Sequence, residues 1–232
     1  MTEAAAPHPV VTTTAPDAPG GRRYGGAGPE QRVAERRAKI IEAGVELFGR
    51  RGFQATTMAM LSAESGVPHR YLVQIFPTRE DLLREIYLGI YHDVTVAVRA
   101  SRQAAEMSPA ALIRTGVRAA CDTFLLDFRK TRINCLDVVG VSPAFEQLRR
   151  ATIREFCRLI LEDVEKLVAA GLLPPRDYLY GAIGLVGAFT ELMTEWVLAE
   201  EGQRPPQALL VRQIEEFFWA TLLATQYPLP DA

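Results

Sequence analysis

The side chains best suited to chemistry in this 232-residue chain crowd into the stretch from His69 to Gln74. Arg70 carries a planar fork of donors that matches guanine O6 and N7, and Gln74 carries the donor–acceptor pair that matches adenine. His69 is a third candidate for base edges, by its place at the amino end of the same segment. Thr56, Thr57, Tyr71 and Arg79 are donors of the kind that anchor phosphates, which position a protein on a duplex without reading its sequence. Taken singly, each has an ordinary alternative as a solvated side chain. Taken together, they predict contact with double-stranded DNA.

Other chemistries find little support. Catalysis would need a nucleophile with its base, a metal-ligand cluster or a phosphate loop. No HExxH, GxGxxG or GxxxxGK[ST] pattern is present, and the three histidines, His8, His69 and His92, are scattered. Glu191 and Glu195 stand four apart as a carboxylate pair, a spacing that a solvated or interface helix face explains better. The expectation is therefore no enzyme, no cofactor and no catalytic or metal site. Cys121, Cys135 and Cys157 are an odd number at wide spacings, which reads as free buried thiols in a reducing compartment. A redox- or metal-responsive regulator is the alternative, and the thiol version needs an exposed thiol of low pKa.

Charge is unevenly spread. The formal net charge is −2, yet residues 22–84 hold 11 Lys and Arg against 7 Asp and Glu. A basic front on an acidic body suits one polyanion-binding end. Residues 1–28, rich in Pro, Gly, Ala and Thr, read as a disordered tail whose Arg22 and Arg23 could follow a phosphate backbone. The start lacks the basic and apolar regions of a signal peptide, and no apolar run approaches the roughly 18 residues of a membrane span. Both points predict a cytoplasmic protein without membrane contact.

The elements that must position those donors are helices. Apolar residues recur at helical spacing, no period-two pattern appears, and the fold class is all-α. Ile40, Ile41, Val45, Leu47 and Phe48 make one face of a first helix that Gly52 ends. Thr56 or Thr57 caps a short second helix holding Met58 and Leu61, which Gly66 breaks. A third short helix, about Pro68–Phe76, is anchored by Leu72 and Phe76. Two short helices about a tight glycine turn, buttressed by a longer first helix, are helix-turn-helix geometry. Thr78 to Asp81 then resembles a capping box that opens a long helix. Further on, Ser108-Pro109 and Ser142-Pro143 start helices, and Gly171 followed by Pro174-Pro175 ends one.

This stretch resembles the DNA-binding region of the TetR (tetracycline-repressor-like) family. The family pattern stands here as Ile40, Gly44 to Phe48, Gly52-Phe53, Thr56-Thr57, Leu61-Ser62, Ser65 to Pro68, Leu72 to Phe76 and Thr78 to Leu82. About 48 residues match in register. The departures are Pro68 where Ser is usual, Arg70 where a small residue is usual, and Val73 where a Tyr normally touches a phosphate. Tyr71 lies two residues away, about 200° around a helix, so it cannot copy that role. Operator preference is therefore expected to be unusual.

The resemblance implies a helix-turn-helix domain over residues 29–77 and an effector-binding and dimerisation domain over 78–232. It implies a homodimer on a DNA operator, most simply a repressor released by a small molecule. A cavity among the fourth to seventh helices would draw its walls from Cys121, Phe124, Phe128, Phe145 and Phe156, although packed core explains each as well. Signals of buried charge are scarce in this region, so the effector should be largely apolar. Two long helices, roughly 177–201 and 207–227, close the chain. Gly181, Gly184 and Gly187 fall on nearly one side of the first of these, where a partner helix could approach closely. The family implies that these helices pair with their copies, with Trp196, Phe217, Phe218 and Trp219 as the large apolar residues. The competing reading is that the glycines make room for a ligand.

Overall fold

The computed structural model describes residues 28–103, 105–200 and 202–223, and among these every regular element is helical. The proline-glycine tail, with Arg22, Arg23 and His8, lies outside the described residues. The helices are α1 (Pro29–Arg51), α2 (Met58–Ser65), α3 (His69–Ile75), α4 (Arg79–Gln103), α5 (Pro109–Leu125), α6 (Phe128–Arg132), α7 (Pro143–Ala169), α8 (Leu179–Leu198) and α9 (Gln207–Leu223).

Local chemistry sets the boundaries. Gly52 and Gly66 take positive φ of 88° and 64°, where a Cβ would be strained, and end α1 and α2. Thr57 caps α2 by accepting the Met60 amide at 3.2 Å. Thr78 and Asp81 form a reciprocal capping box: Oγ1 of Thr78 accepts the Asp81 amide at 3.1 Å and Oδ2 of Asp81 accepts the Thr78 amide at 3.0 Å. Ser108 and Ser142 cap α5 and α7 ahead of their prolines. Gly171, at φ 71°, closes α7 as a Schellman motif, with Gly171 and Leu172 amides donating to the Val168 and Leu167 carbonyls.

One continuous core runs through the molecule. At its front, Ile40 and Phe48 of α1 enclose Leu61 and Leu72, and Leu82 and Leu83 of α4 close the floor. Behind, α4 lies along α5, α5 against α9, α7 against α8, and α8 against α9. Between α5 and α7, α6 runs into a π-helix, Ile133–Asp137, which buries Ile133 and Cys135. Wide π turns often mark functional positions in helices. The long front segment and the body touch where α6 crosses α1. A Cβ on Gly49 would lie 2.4 Å from Cβ of Arg129, so only glycine lets the two backbones come this close.

Helix α8 has the length and apolar composition of a membrane span, with 20 residues at mean hydropathy 1.2, and only 28% of its span is buried. Its open side instead carries Ile183, Gly184, Gly187 and the two carboxylates Glu191 and Glu195.

Candidate functional site

Helix α3 rests on the core through the buried Leu72, with Tyr71, Val73 and Ile75 packed partly against it, and turns its other side outward. His69, Arg70 and Gln74 are all exposed on it. Tyr71 sits between two guanidinium groups, with Arg36 of α1 at 4.3 Å and Arg70 at 4.7 Å from its ring centroid. Arg70 also donates to the Tyr71 hydroxyl at 3.1 Å. Cation–π contact fixes the ring and keeps two positive charges beside the exposed helix. Arg36 went unnoticed in the sequence because nothing local marks it; only the crossing of α1 over α3 brings it here. Val73, the position that departs from the family pattern, is half-buried.

Two of the expected phosphate anchors are otherwise engaged. Thr56 is fully buried and its hydroxyl donates to the Gly52 carbonyl at 2.9 Å, so it braces the turn and offers nothing to a phosphate. Arg79 folds back from α4 onto the same turn, donating to the carbonyls of Phe53, Gln54 and Thr56 while stacking over the Phe53 ring. It clamps the turn. Thr57 is different: its exposed oxygen accepts from Met60, which leaves the hydroxyl proton free for an acceptor outside the chain.

The body holds a cavity of about 140 Å³, partly open to the surface, between α4, α5, α7, α8 and α9. Of the residues named as its walls, Phe124 and Phe156 line it. Cys121, Phe128 and Phe145 do not. Cys121 and Phe145 are buried in core packing, Phe145 against Tyr87 at 5.7 Å between centroids. Phe128 sits under the Arg204 guanidinium at 5.4 Å. Phe189 and Phe218 complete the aromatic wall. Phe218, assigned to a dimer face by sequence, thus faces inward, because α9 rotates it toward α5. At one end of the cavity Arg102 lies 2.7 Å from Asp163, and its Nη1 donates to the Leu159 carbonyl at 3.0 Å.

The cysteines are buried, and burial pushes Cys121 up to about 12, Cys135 up to about 11 and Cys157 upward as well. A thiol so disposed stays protonated and unreactive. Among the described residues no cluster of three or more His, Cys, Asp or Glu could hold a metal ion.

On the far side of the bundle, Gly184 and Gly187 are exposed, and a Cβ added at Gly181, Gly184 or Gly187 meets nothing within 4 Å. Leu179, Tyr180, Ile183, Leu198, Leu209, Phe217 and Trp219 are exposed on the same two helices. Trp196 does not join them: its ring is buried and its Nε1 donates to the Pro205 carbonyl at 2.9 Å, closing the α8–α9 turn.

The front segment and the frame both have counterparts in known proteins. Residues 40–86 match the family model of bacterial regulatory proteins, tetR family. A probable HTH-type transcriptional regulator of Pseudomonas putida, ArpR, is 23% identical over 73% of this chain and 83% of its own length. Among solved structures, a TetR-family regulator from Syntrophomonas wolfei superposes with a TM-score of 0.72 at 16% identity, covering 85% of this chain and 99% of that one. AibR, solved with isovaleryl coenzyme A and operator DNA, does so at 0.62 and 17%, covering 78% and 96%. The helix-turn-helix geometry and the matched segment agree: residues 40–86 are a DNA-binding segment of the kind found in bacterial regulators of the tetR family, and the helices behind it share the frame of solved members of that family.

Proposed function

We propose that the protein acts as a two-fold homodimer that occupies an operator and leaves it when a small, largely apolar effector enters the body. Residues 29–77 form the reading head, and residues 78–232 hold the effector and the partner. One observation carries this reading: α3 presents His69, Arg70 and Gln74 outward, free of core packing and flanked by the Arg36–Tyr71–Arg70 stack. In a dimer, two such helices would enter successive major grooves about 34 Å apart. Thr57 and Tyr71 would fix the head on phosphates.

Apolar surface supports the dimer. Phe217 is 45% exposed and Trp219 is 42% exposed on α9, beside a strip of α8 where glycines leave the backbone open. A contiguous patch of this kind is what an isologous helix–helix interface covers. The two carboxylates on α8 argue for a protein partner over lipid, since ionised groups are costly in a bilayer. The cavity among α4, α5, α7, α8 and α9 is lined by Val186, Phe189 and Thr190 of α8 and by none of its three glycines, while Gly181 lines a neighbouring pocket with Tyr178 and Leu185, so the glycine-for-ligand reading is left with Gly181 alone.

Repression follows as the simplest output, because a bound dimer blocks a promoter without touching polymerase. The effector must bind the two conformers unequally to shift operator affinity at all. Footprinting on the DNA upstream of the coding sequence, at low ionic strength, tests the whole reading. Protection of a palindrome whose half-sites lie one helical turn apart is expected, with affinity falling steeply with salt. Absence of any protected site overturns it.

A further inference from the structure

We infer that the cavity selects an uncharged aromatic molecule carrying a hydroxyl or carbonyl group, and that Asn134 is the residue that orients it. This rests on the cavity being the effector site.

The case begins with what the cavity's polar groups have left to offer. Arg102, a cation on the wall, is matched by Asp163 at 2.7 Å and spends a further donor on the Leu159 carbonyl. An anionic ligand would have to displace Asp163 from Arg102 and then lie beside a displaced carboxylate; a cationic ligand would meet Arg102. Ion pairs with little solvent access hold only while both partners stay together. Either sign of ligand charge is therefore unfavourable. The hydroxyls are also engaged: Tyr87 donates to Thr152 at 2.6 Å, Thr152 donates to the Arg149 carbonyl at 2.9 Å, and Thr190 donates to the Val186 carbonyl at 2.9 Å.

Apart from the Tyr91 hydroxyl, which also lines the cavity, Asn134 is the exception. It lines the cavity from the π-helix, and its carboxamide reaches only Cys135 Sγ, at 4.0 Å. A primary amide offers two donors and an acceptor, so Asn134 presents both halves of a hydrogen bond to the interior. Around it the wall is aromatic: Phe124, Phe156, Phe189 and Phe218, with the Phe124 and Phe189 rings tilted at 50° and 5.6 Å apart. Rings tilted at this separation pack on each other and leave their outer edges and faces for a ligand ring to stack against. The volume, about 140 Å³, is close to that of an engineered apolar cavity of roughly 150 Å³ that takes up benzene. The match of one or two rings with one polar group is closer than that of an acyl chain ending in a nucleotide, as AibR's ligand does.

Titration calorimetry and thermal melting of the full-length protein with 1-naphthol, naphthalene, octanoate and isovaleryl coenzyme A test this. The wild type should bind 1-naphthol about tenfold more tightly than naphthalene, and neither octanoate nor the coenzyme A ester. Asn134→Leu should keep naphthalene binding and lose the preference for 1-naphthol. The naphthalene arm shows that the variant has kept its cavity. Asp163→Asn should admit octanoate, because Arg102 is then uncompensated. Binding of octanoate or the ester by the wild type, or a preference for 1-naphthol that survives Asn134→Leu, overturns the inference while leaving the cavity as effector site. If none of the four probes binds, or if filling the cavity by Ile113→Trp leaves binding unchanged, the underlying reading falls with it.

Discussion

Arg70 and Arg79 carry the same group and do different work. Arg70 is exposed at the start of α3 with a donor to spare, so Arg70→Ala should weaken operator binding by about 1–3 kcal/mol and relax preference at one base pair. Fluorescence anisotropy on operators varied at single positions reads both effects. Arg79 satisfies carbonyls of the turn after α1, so Arg79→Ala should lower the melting temperature and weaken all operators alike. The spacing of residues placed both arginines near DNA but could not separate them, because the difference lies in which way a long side chain folds. Thr56 and Thr57 teach the same lesson: adjacent hydroxyls, one buried on Gly52 and one facing out. A pH dependence also belongs at this scale. Arg149 and Arg150 hold the Glu146 carboxyl down to about 2, below its ordinary 4.5. Its depressed value means the unfolded chain binds more protons between those limits, so this contribution is present above pH 4.5 and lost as pH falls through 2. Urea midpoints of the wild type and Glu146→Gln should therefore differ at pH 5 and converge near pH 2.

Between elements, what joins reading head to body is a small set of contacts at α6 and the π-helix. Arg129 bonds Asp127 on its own segment and Glu42 and Glu46 on α1, which raises its pKa above the ordinary arginine value. Three residues beyond Asn134, Asp137 accepts the Phe53 amide at 3.3 Å. One short segment thus touches both the cavity and the turn that supports α3. Gly49→Ala would push α6 off α1 at a cost of about 1–3 kcal/mol, and a thermal melt measures it. Asp137→Leu would leave the Phe53 amide without a buried acceptor, costing about 1–3 kcal/mol, while Asp137→Asn keeps the acceptor and should cost less. The helix ends were legible because caps and glycines are local chemistry, as at Thr57, Gly66, Ser142 and Gly171. The π-helix was not. Arg132 to Val141 carries no clean helical period and its one breaker, Gly140, lies beyond the π-helix, whose form follows from packing between α1 and α8. Asn134 was missed for that reason.

At the level of the whole molecule, the sequence pattern gave the right apolar residues but not the directions in which they point. Trp196, Phe217, Phe218 and Trp219 look alike in a helical pattern, yet Trp196 closes a turn, Phe218 lines the cavity, and Phe217 and Trp219 stand in the open. Rotation about a helix axis is fixed only by what the helix packs against, and among the described residues one face of α8 and α9 is left uncovered. The glycines fit that geometry: interior helical glycine costs about 1 kcal/mol relative to alanine, and here the space it leaves is empty rather than filled. A second copy would fill it. Gly184→Leu places a bulky side chain where two backbones would meet, and Trp219→Glu puts a charge in the same apolar patch; sedimentation should show both as monomers that retain the wild-type helical content. Each should also lose operator affinity far beyond the loss from a single phosphate contact, because one reading head cannot draw on a second half-site. A Gly184→Leu protein that stays dimeric but no longer responds to any effector would instead assign the glycines to ligand binding, and the partner surface would have to be sought elsewhere.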